Sequence, residues 1–565
     1  MINKKNPPIS GGKAVVECLK ANNVKYVFGL IGSATMELFD ALYDEQSIKF
    51  IDVRDERTGA HMADAYARAS GNHGVIIAGQ NGPGATNLVT GVAQAKAAFS
   101  PLLSIAGAIA TEHQGKDAFQ EVDQQKLFEP ITKKTFSIEE TKNIVVDLNE
   151  AMRLAKNGKW GPVHVNIPRN VLAGNESFKN FIFKNKIEDK KIDRSDLEKI
   201  VALIEEAEKP VIICGAGIKN SNSQKEVISL SKHLNIPLVS SAGHGDVIPF
   251  EYNLYAGQMG PRGNKIASQL VNNADLIIAI GTRLGFNSTF YSYDNINKDA
   301  SIIHCEIDEN SIGRYFPVEI GIFADAKTVA EQLLTMLKSH QAKNEAQQWV
   351  DDFKAERKAY LENRDQNADV TSTPIQPSGL FKELRQVLPK NAAITMDAGT
   401  LCLQATDALN YFEPKSLFTP LDFGLVGFSF PAGLGIKLAN PERPVVSCHG
   451  DGGMGMVLAE LSTAVDNNIN TTTIVFNNKV WGAEKSYQKD FFSERYIGAD
   501  VSSPQFDKVA ELYGCKGYKV EKVSEIRDAV DDSLNCGKPA VIDVAVDPNA
   551  LYSFRRDSFE HKIKN

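Results

Sequence analysis

Two apolar runs, joined by a helix-forming segment and each ending in a polar side chain, limit most strongly what this chain can fold into. The first run covers residues 445–449 and leads into Gly450-Asp451-Gly452, and the second covers 472–476 and ends at Asn477-Asn478. Residues 454–465 between them predict one helix. A strand, helix, strand unit of this size predicts two parallel strands whose carboxyl ends face one crevice, where ligands bind.

The polar side chains at these strand ends fit a site for a metal and a phosphate. A carboxylate from Asp451 and an amide oxygen from Asn478 are hard donors that suit Mg²⁺, which takes its other ligands from water and phosphate groups. The glycines beside Asp451 allow the backbone to approach a phosphate closely. The alternative is an ordinary strand, helix, strand unit with turn glycines and a helix-capping Asp.

The same alternation of buried strands and helices recurs along the whole chain. It falls into three blocks, which we place at residues 1–180, 195–340 and 375–565, separated by polar stretches around 175–196 and 339–377. Such alternation predicts an α/β protein of three domains, each with a mainly parallel sheet flanked by helices.

Composition excludes several classes of function. The net charge is −8 with acidic and basic residues mixed, so we expect no nucleic-acid partner and no membrane partner. The seven cysteines are scattered without a C-x-x-C pair, which is typical of small buried side chains in a reducing compartment. With no apolar run of 18 residues and no secretory signal at the start, we expect a cytoplasmic protein.

Glu56 is the most informative residue of the first block, because it lies between a predicted strand and the start of a predicted helix. A glutamate there has an ordinary explanation, since an acid near a helix N-terminus stabilises the helix by about 0.3–1 kcal/mol. The residues around it nevertheless resemble the glutamate-plus-helix motif of the acetolactate-synthase-like family. The unit from Gly450 to Asn478 likewise resembles the diphosphate-binding signature of thiamine-diphosphate enzymes.

This resemblance, which covers nearly the whole chain, implies a pyrimidine-binding, a central and a diphosphate-binding domain, with thiamine diphosphate and Mg²⁺ as cofactors. It implies that Mg²⁺ binds Asp451, Asn478 and the carbonyl of Val480, and that Val426 holds the cofactor bent. The catalytic residues would be Glu56, Gln120 and Glu484. The implied cofactor-binding residues are Gly32, Ser33, Glu56, Thr400, Leu401, Gly424, Val426, Asp451, Gly452, Gly453, Asn478, Trp481 and Gly482. Individually, the glycines also fit plain turns, and Gln120 fits a surface amide.

Two segments resemble one group within the family, the sulfoacetaldehyde acetyltransferases: residues 481–485 and residues 553–557. That group converts sulfoacetaldehyde and phosphate to acetyl phosphate and sulfite through a cofactor ylid and an acetyl-cofactor intermediate. Both substrates are anions, for which arginine's planar fork is suited. The implied substrate-binding residues are Ser33, Gln120, Lys485, Arg555 and Arg556.

Alternatives stay open for these residues. The two arginines also fit a solvated tail, and Glu484 also fits an exposed acid at a helix start. Arg57 and Thr58 depart from the group's pattern, which leaves the exact aldehyde open; Arg57 fits either a substrate contact or a helix-start side chain.

Three functions therefore compete. The first is the acetyltransferase, the second is an acetolactate synthase or related carboligase that uses pyruvate, and the third is a noncatalytic nucleotide-binding scaffold. The glycines at 215–217 and 281–283 are weak signals for FAD, so we expect no FAD in the middle block. In this family the site lies between block one of one subunit and block three of another, which implies a homodimer or homotetramer.

Overall fold

The structure is a computed structural model that describes residues 7–182, 192–337, 345–554 and 556–563. It confirms the predicted α/β class, because three six-stranded parallel sheets follow one another along the chain.

The first sheet has the strand order β3-β2-β4-β5-β7-β6. A short antiparallel pair, β1 with β8, ties the start of this region to its end. The strands are β1 (Ile9–Ser10), β2 (Tyr26–Leu30), β3 (Lys49–Asp52), β4 (Gly74–Ala78), β5 (Leu102–Ala108), β6 (Thr135–Ser137), β7 (Val163–Pro168) and β8 (Asn175–Glu176). The helices are α1 (Gly11–Ala21), α2 (Met36–Tyr43), α3 (Glu56–Ser70), α4 (Pro83–Ala97), α5 (Gln124–Phe128), α6 (Ile144–Lys156) and α7 (Arg169–Ala173).

The second sheet has the order β11-β10-β9-β12-β13-β14, which in chain order is 3-2-1-4-5-6, the arrangement of a doubly wound nucleotide-binding sheet. Its strands are β9 (Pro210–Cys214), β10 (Leu238–Ser240), β11 (Tyr255–Gln258), β12 (Leu276–Ile280), β13 (Ser301–Glu306) and β14 (Ile320–Phe323). Its helices are α8 (Arg194–Glu206), α9 (Ala216–Asn220), α10 (Gln224–Leu234), α11 (Lys265–Asn273), α12 (Phe286–Thr289), α13 (Ala326–Met336) and α14 (Glu345–Gln366). Although α14 falls in a predicted connector, Phe353 on it is buried in the apolar cluster of this region.

The third sheet has the order β16-β15-β17-β18-β20-β19, which is 2-1-3-4-6-5 in chain order and identical to that of the first sheet. Its strands are β15 (Ala393–Met396), β16 (Leu417–Phe418), β17 (Val445–Gly450), β18 (Thr472–Asn477), β19 (Lys516–Val520) and β20 (Ala540–Ala545). Its helices are α15 (Pro377–Val387), α16 (Thr400–Ala408), α17 (Ser429–Ala439), α18 (Asp451–Gly455), α19 (Glu460–Asp466), α20 (Gly482–Phe491), α21 (Phe506–Leu512), α22 (Ile526–Asn535) and α23 (Glu560–Ile563).

The prediction of one helix over 454–465 was wrong. The structure has two short helices there, α18 and α19, with a break over residues 456–459. Glycine is a poor helix former, and three of the five residues of α18 are Gly452, Gly453 and Gly455. The break separates α18, which directly follows β17, from α19.

The first and third regions of the chain pack against each other through α3 and α17. Their side chains share one apolar cluster, which includes Met62 and Leu434. At the closest approach a Cβ on Gly435 would lie 2.0 Å from the carbonyl oxygen of Met62, so only glycine permits this crossing. The two regions therefore meet backbone to backbone.

Candidate active site

A cleft of about 1000 Å³ opens at the carboxyl ends of β15, β17 and β18. This is the crevice that the strand, helix, strand unit predicts. Twelve of the predicted site residues line it: Thr400, Leu401, Gly424, Val426, Asp451, Gly452, Gly453, Asn478, Val480, Trp481, Gly482 and Glu484.

Three acceptor oxygens converge on one side of this cleft. The amide of Asn478 turns its oxygen toward Oδ1 of Asp451 and toward the carbonyl oxygen of Val480, each 3.2 Å away. Rotating the amide by 180° would place its nitrogen there and make hydrogen bonds to both oxygens, so this rotated orientation suits an empty site, whereas the oxygen can face them when a cation lies between the three groups. Neighbouring ligands of an octahedral Mg²⁺ lie about 3 Å apart. The three residues therefore fit the predicted metal.

The second oxygen of Asp451, Oδ2, accepts a hydrogen bond from the hydroxyl of Ser503. Burial raises the pKa of the Asp451 carboxyl, and a bound cation would favour its charged form. Asn477, by contrast, donates to Oδ1 of Asp543 at 2.9 Å. Only the second asparagine of the pair lines the cleft.

Glycine permits close packing at two points of the cleft wall. A Cβ on Gly452 would lie 2.6 Å from the ring of Trp481, and one on Gly482 would lie 2.7 Å from Oγ1 of Thr400. Side chains at either position would fill the space between the two loops. These glycines therefore allow the two loops to pack closely at the cleft wall.

A buried pair that the sequence did not reveal, Asp397 and His449, holds the cleft's segments together. The carboxylate of Asp397 accepts hydrogen bonds from the backbone N–H groups of Gly427, Phe428 and Ser429, at 3.0, 2.7 and 3.3 Å. Its Oδ2 lies 3.1 Å from Nδ1 of His449. These contacts fix the turn that follows Val426.

The hydrogen bonds also fix the tautomer of His449. Its Nε2 accepts the backbone N–H of Phe430 and therefore carries no proton. The proton of the neutral ring must then lie on Nδ1, which donates to Asp397. Because His449 directly precedes Gly450-Asp451, its hydrogen bond with Asp397 connects the segment that carries Asp451 with the turn after Val426.

The predicted residues of the first region lie elsewhere. Glu56 begins α3 and is buried, and its Oε2 accepts a hydrogen bond from Asn87 at 3.1 Å. Ser33 donates its N–H and hydroxyl to Oε1 of Gln80, and Gln80 donates in turn to Gln120. Gly32, Ser33, Glu56 and Gln120 are absent from the described lining of the cleft.

Arg57 and Thr58, the departures from the group's pattern, face the third region of the same chain. Thr58 donates to Oε1 of Glu460 at 2.5 Å, and Arg57 donates to the carbonyl of Met456 at 3.3 Å. Both side chains therefore join the packing between the first and third regions.

The predicted substrate-binding cations are placed differently from the cofactor-binding residues. Lys485 forms an ion pair of 2.6 Å with Asp500 and does not line the cleft. Arg555 and the side chain of Arg556 lie outside the described residues. Arg262 and Phe554 also line the cleft, although neither was predicted as a site residue and only Phe554 lies in a segment, 553–557, that the sequence had pointed to.

The central region has a separate cleft, also of about 1000 Å³. Its lining includes the two glycine turns seen in the sequence, at Gly217 and Gly281, together with Arg283. The absence of FAD stays a prediction. Among the described helices, none is both long and apolar enough to cross a membrane.

Three segments of the chain match models of one protein family. Residues 9–127 match the N-terminal TPP binding domain of thiamine pyrophosphate enzymes, residues 197–333 match their central domain and residues 397–544 match their C-terminal TPP binding domain.

The chain is similar over nearly its whole length to proteins of two activities. It is 32% identical to a probable acetolactate synthase large subunit of Methanococcus aeolicus, across 96% of this chain and 93% of that protein. It is also 32% identical to a sulfoacetaldehyde acetyltransferase of Alcaligenes xylosoxydans xylosoxydans, across 98% and 95%. A third relative, isozyme 3 of the acetolactate synthase large subunit of Escherichia coli K12, is 30% identical across 95% of each chain.

Proposed function

The chain belongs to the thiamine pyrophosphate enzymes, and on this premise we propose that it is a sulfoacetaldehyde acetyltransferase, converting sulfoacetaldehyde and phosphate to acetyl phosphate and sulfite. The observation that carries the choice of reaction is the segment Trp481-Gly482-Ala483-Glu484. It resembles that group of enzymes and lies directly against the cleft. A relative with that activity supports the proposal.

The residues of the cleft suit the cofactor that the family binds. Asp451, Asn478 and the carbonyl of Val480 would hold Mg²⁺, and the backbone at Gly452 and Gly453 would lie along the diphosphate. Thiamine diphosphate, when bound, would supply a nucleophilic carbon for reaction with an aldehyde. The chain's own contribution is to orient that carbon and to place protons around it.

Two carboxyl groups take the proton-handling roles in this proposal. Glu56, fixed by Asn87 at the start of α3, would hydrogen-bond the pyrimidine ring. Glu484, in the first turn of α20 and at the cleft wall, would exchange a proton with the substrate oxygen.

The complete site would form between two copies of the chain, as a homodimer or homotetramer. Glu56 does not reach the described lining of its own chain's cleft, and large apolar side chains beside the other first-region site residues face solvent. Ile31 is 61% exposed and Phe119 is 84% exposed. A second copy whose third region covers this face would bury them. For the three domains of each copy we propose the boundaries 1–180, 195–340 and 375–565.

Complementation of inactive variants tests this arrangement. Glu56→Gln and Asn478→Ala should each be inactive, and co-expression should restore part of the activity, because a mixed dimer has one site with neither defect. If each site were built from one chain, the mixture would stay inactive. Sedimentation at the assay concentration would show whether an active monomer exists.

Acetolactate synthase is the second candidate, because relatives of that activity match the chain at equal identity. The deciding experiment supplies the purified protein with thiamine diphosphate, Mg²⁺ and either sulfoacetaldehyde plus phosphate or pyruvate. Release of sulfite and acetyl phosphate supports the proposal, whereas acetolactate as the sole product refutes it. A visible absorbance spectrum of the same sample tests the prediction that FAD is absent.

A further inference from the structure

The cofactor cleft has one described basic side chain in its wall, and it comes from the central region. The charged residues among the described lining are Arg262, Asp397, Asp451 and Glu484. Asp397 is saturated by backbone N–H groups and Asp451 fits the metal. Arg262 is therefore the group through which this part of the wall would attract an anion.

The side chain of Arg262 is oriented by its neighbours. The centre of its guanidinium lies 4.6 Å from the ring of Phe554 and 5.3 Å from the ring of Phe290. One terminal nitrogen donates to Oδ1 of Asn287 at 3.2 Å. The nitrogen of Asn287 donates in turn to Asp422 at 2.9 Å.

The backbone that carries Arg262 is also constrained. Gly260 has a φ of +118°, and the N–H of Gly263 donates to the carbonyl of Gly260 at 2.9 Å, which closes a tight turn. A Cβ on Gly263 would lie 2.3 Å from the carbonyl oxygen of Gln258. The guanidinium is thus placed before any ligand binds, which lowers the entropy lost on binding.

Arg262 also stands between two compartments. A second cavity, of about 870 Å³, shares Arg262, Leu403 and Phe554 with the cofactor cleft and is lined as well by Arg364 and Arg385. The guanidinium of Arg262 therefore belongs to the wall that the two cavities share.

We propose that Arg262 is a specificity-determining residue that binds the oxyanion of a substrate in the cofactor cleft. The inference rests on the proposed function for its substrates, which are a sulfonate and a phosphate. Both offer three oxygens to the planar fork of an arginine, and a charge-assisted pair of this kind is stronger than one between neutral groups.

Calorimetric titration of the cofactor-loaded protein tests the proposal without turnover. Ethanesulfonate, which lacks the aldehyde, and inorganic phosphate are the two probes, and they distinguish the two sources of the oxyanion. Arg262→Gln should weaken the recognised probe roughly 10- to 100-fold. Arg262→Lys, which keeps the charge and loses the fork, should fall between this variant and the wild type.

Arg357→Gln is the matched control. Arg357 also lies over a ring, 5.0 Å from that of Phe250, and donates one hydrogen bond, but it is not in the lining of the cleft. It should bind both probes as the wild type does. In steady-state assays Arg262→Lys should raise the KM for the same anionic substrate and leave kcat nearly unchanged.

The proposal is overturned if the wild type binds neither probe, if Arg262→Gln binds both within twofold of the wild type, or if Arg357→Gln loses as much affinity as Arg262→Gln. A wild type that forms no acetyl phosphate but binds ethanesulfonate through Arg262 would refute the proposed reaction and support the oxyanion site.

Discussion

Removing the carboxylate of Asp397 should destabilise the third region strongly. The side chain is 2% exposed and accepts three backbone N–H groups as well as the ring N–H of His449. Asp397→Ala leaves these four donors buried without an acceptor. Each unsatisfied donor costs about 1–3 kcal/mol. Because water entering the vacated space would satisfy some of them, we expect a total loss of about 3–5 kcal/mol.

Thermal unfolding of the cofactor-free protein measures this effect. For a domain of 150–250 residues, 1 kcal/mol shifts the Tm by about 2–4 °C, so Asp397→Ala should lower the transition of the third region by roughly 6 to 20 °C. Asp422→Ala is the control, because the carboxylate of Asp422 is 30% exposed, pairs with Arg283 and accepts a side-chain hydrogen bond from Asn287, but accepts no buried backbone N–H among the described hydrogen bonds. An exposed ion pair contributes about 0–1 kcal/mol. A Tm shift of Asp397→Ala no larger than that of Asp422→Ala would refute the reasoning.

Three further changes have expected outcomes. Gly452→Ala places a methyl group against the ring of Trp481 and should weaken thiamine diphosphate binding, measured by quenching of tryptophan fluorescence. Gly455→Ala is the control, because a methyl group there meets open space and should leave the affinity unchanged. Equal affinities of the two variants would contradict the packing described. Burial lowers the pKa of His164 to about 3, so below pH 6.5 the unfolded chain binds one more proton than the folded chain. The free energy of unfolding should therefore fall by roughly 1.4 kcal/mol per pH unit as the pH drops from about 6.5 toward 3. His164→Phe should show a shallower fall of Tm with acid, and an unchanged slope would be inconsistent with this cause. Asn478→Ala should raise the Mg²⁺ concentration needed for cofactor binding, and chelation of Mg²⁺ should release the cofactor from the wild type but change the already weak binding of the variant little.

The strand ends were predictable because they depend on local order along the chain. Apolar runs ending at Asp451 and Asn478 place both groups at one edge of a parallel sheet, and the structure brings the side-chain amide of Asn478 within 3.2 Å of Oδ1 of Asp451. The break between α18 and α19 was within reach of the sequence, since three glycines precede it, but the apolar pattern across 454–465 outweighed them.

Arg262 was beyond sequence reasoning because its role depends on how the central region docks against the third. No periodicity or spacing connects residue 262 with a cleft built from residues beyond 396. Lys485 was predicted to bind substrate because it directly follows the segment Trp481-Gly482-Ala483-Glu484. In the structure its ammonium group instead pairs with Asp500, and the sequence did not indicate that this later segment folds back onto Lys485. Asp397 was not predicted as a site residue, since its partner His449 lies on a neighbouring strand.

The crossing of α3 and α17 has a mechanical consequence. With a carbonyl of one helix against a glycine of the other, neither element can slide or tilt without atomic overlap. The first and third regions of a chain should therefore move as one rigid body. Any motion that admits ligands would have to occur at other contacts of the chain, outside the packing between α3 and α17.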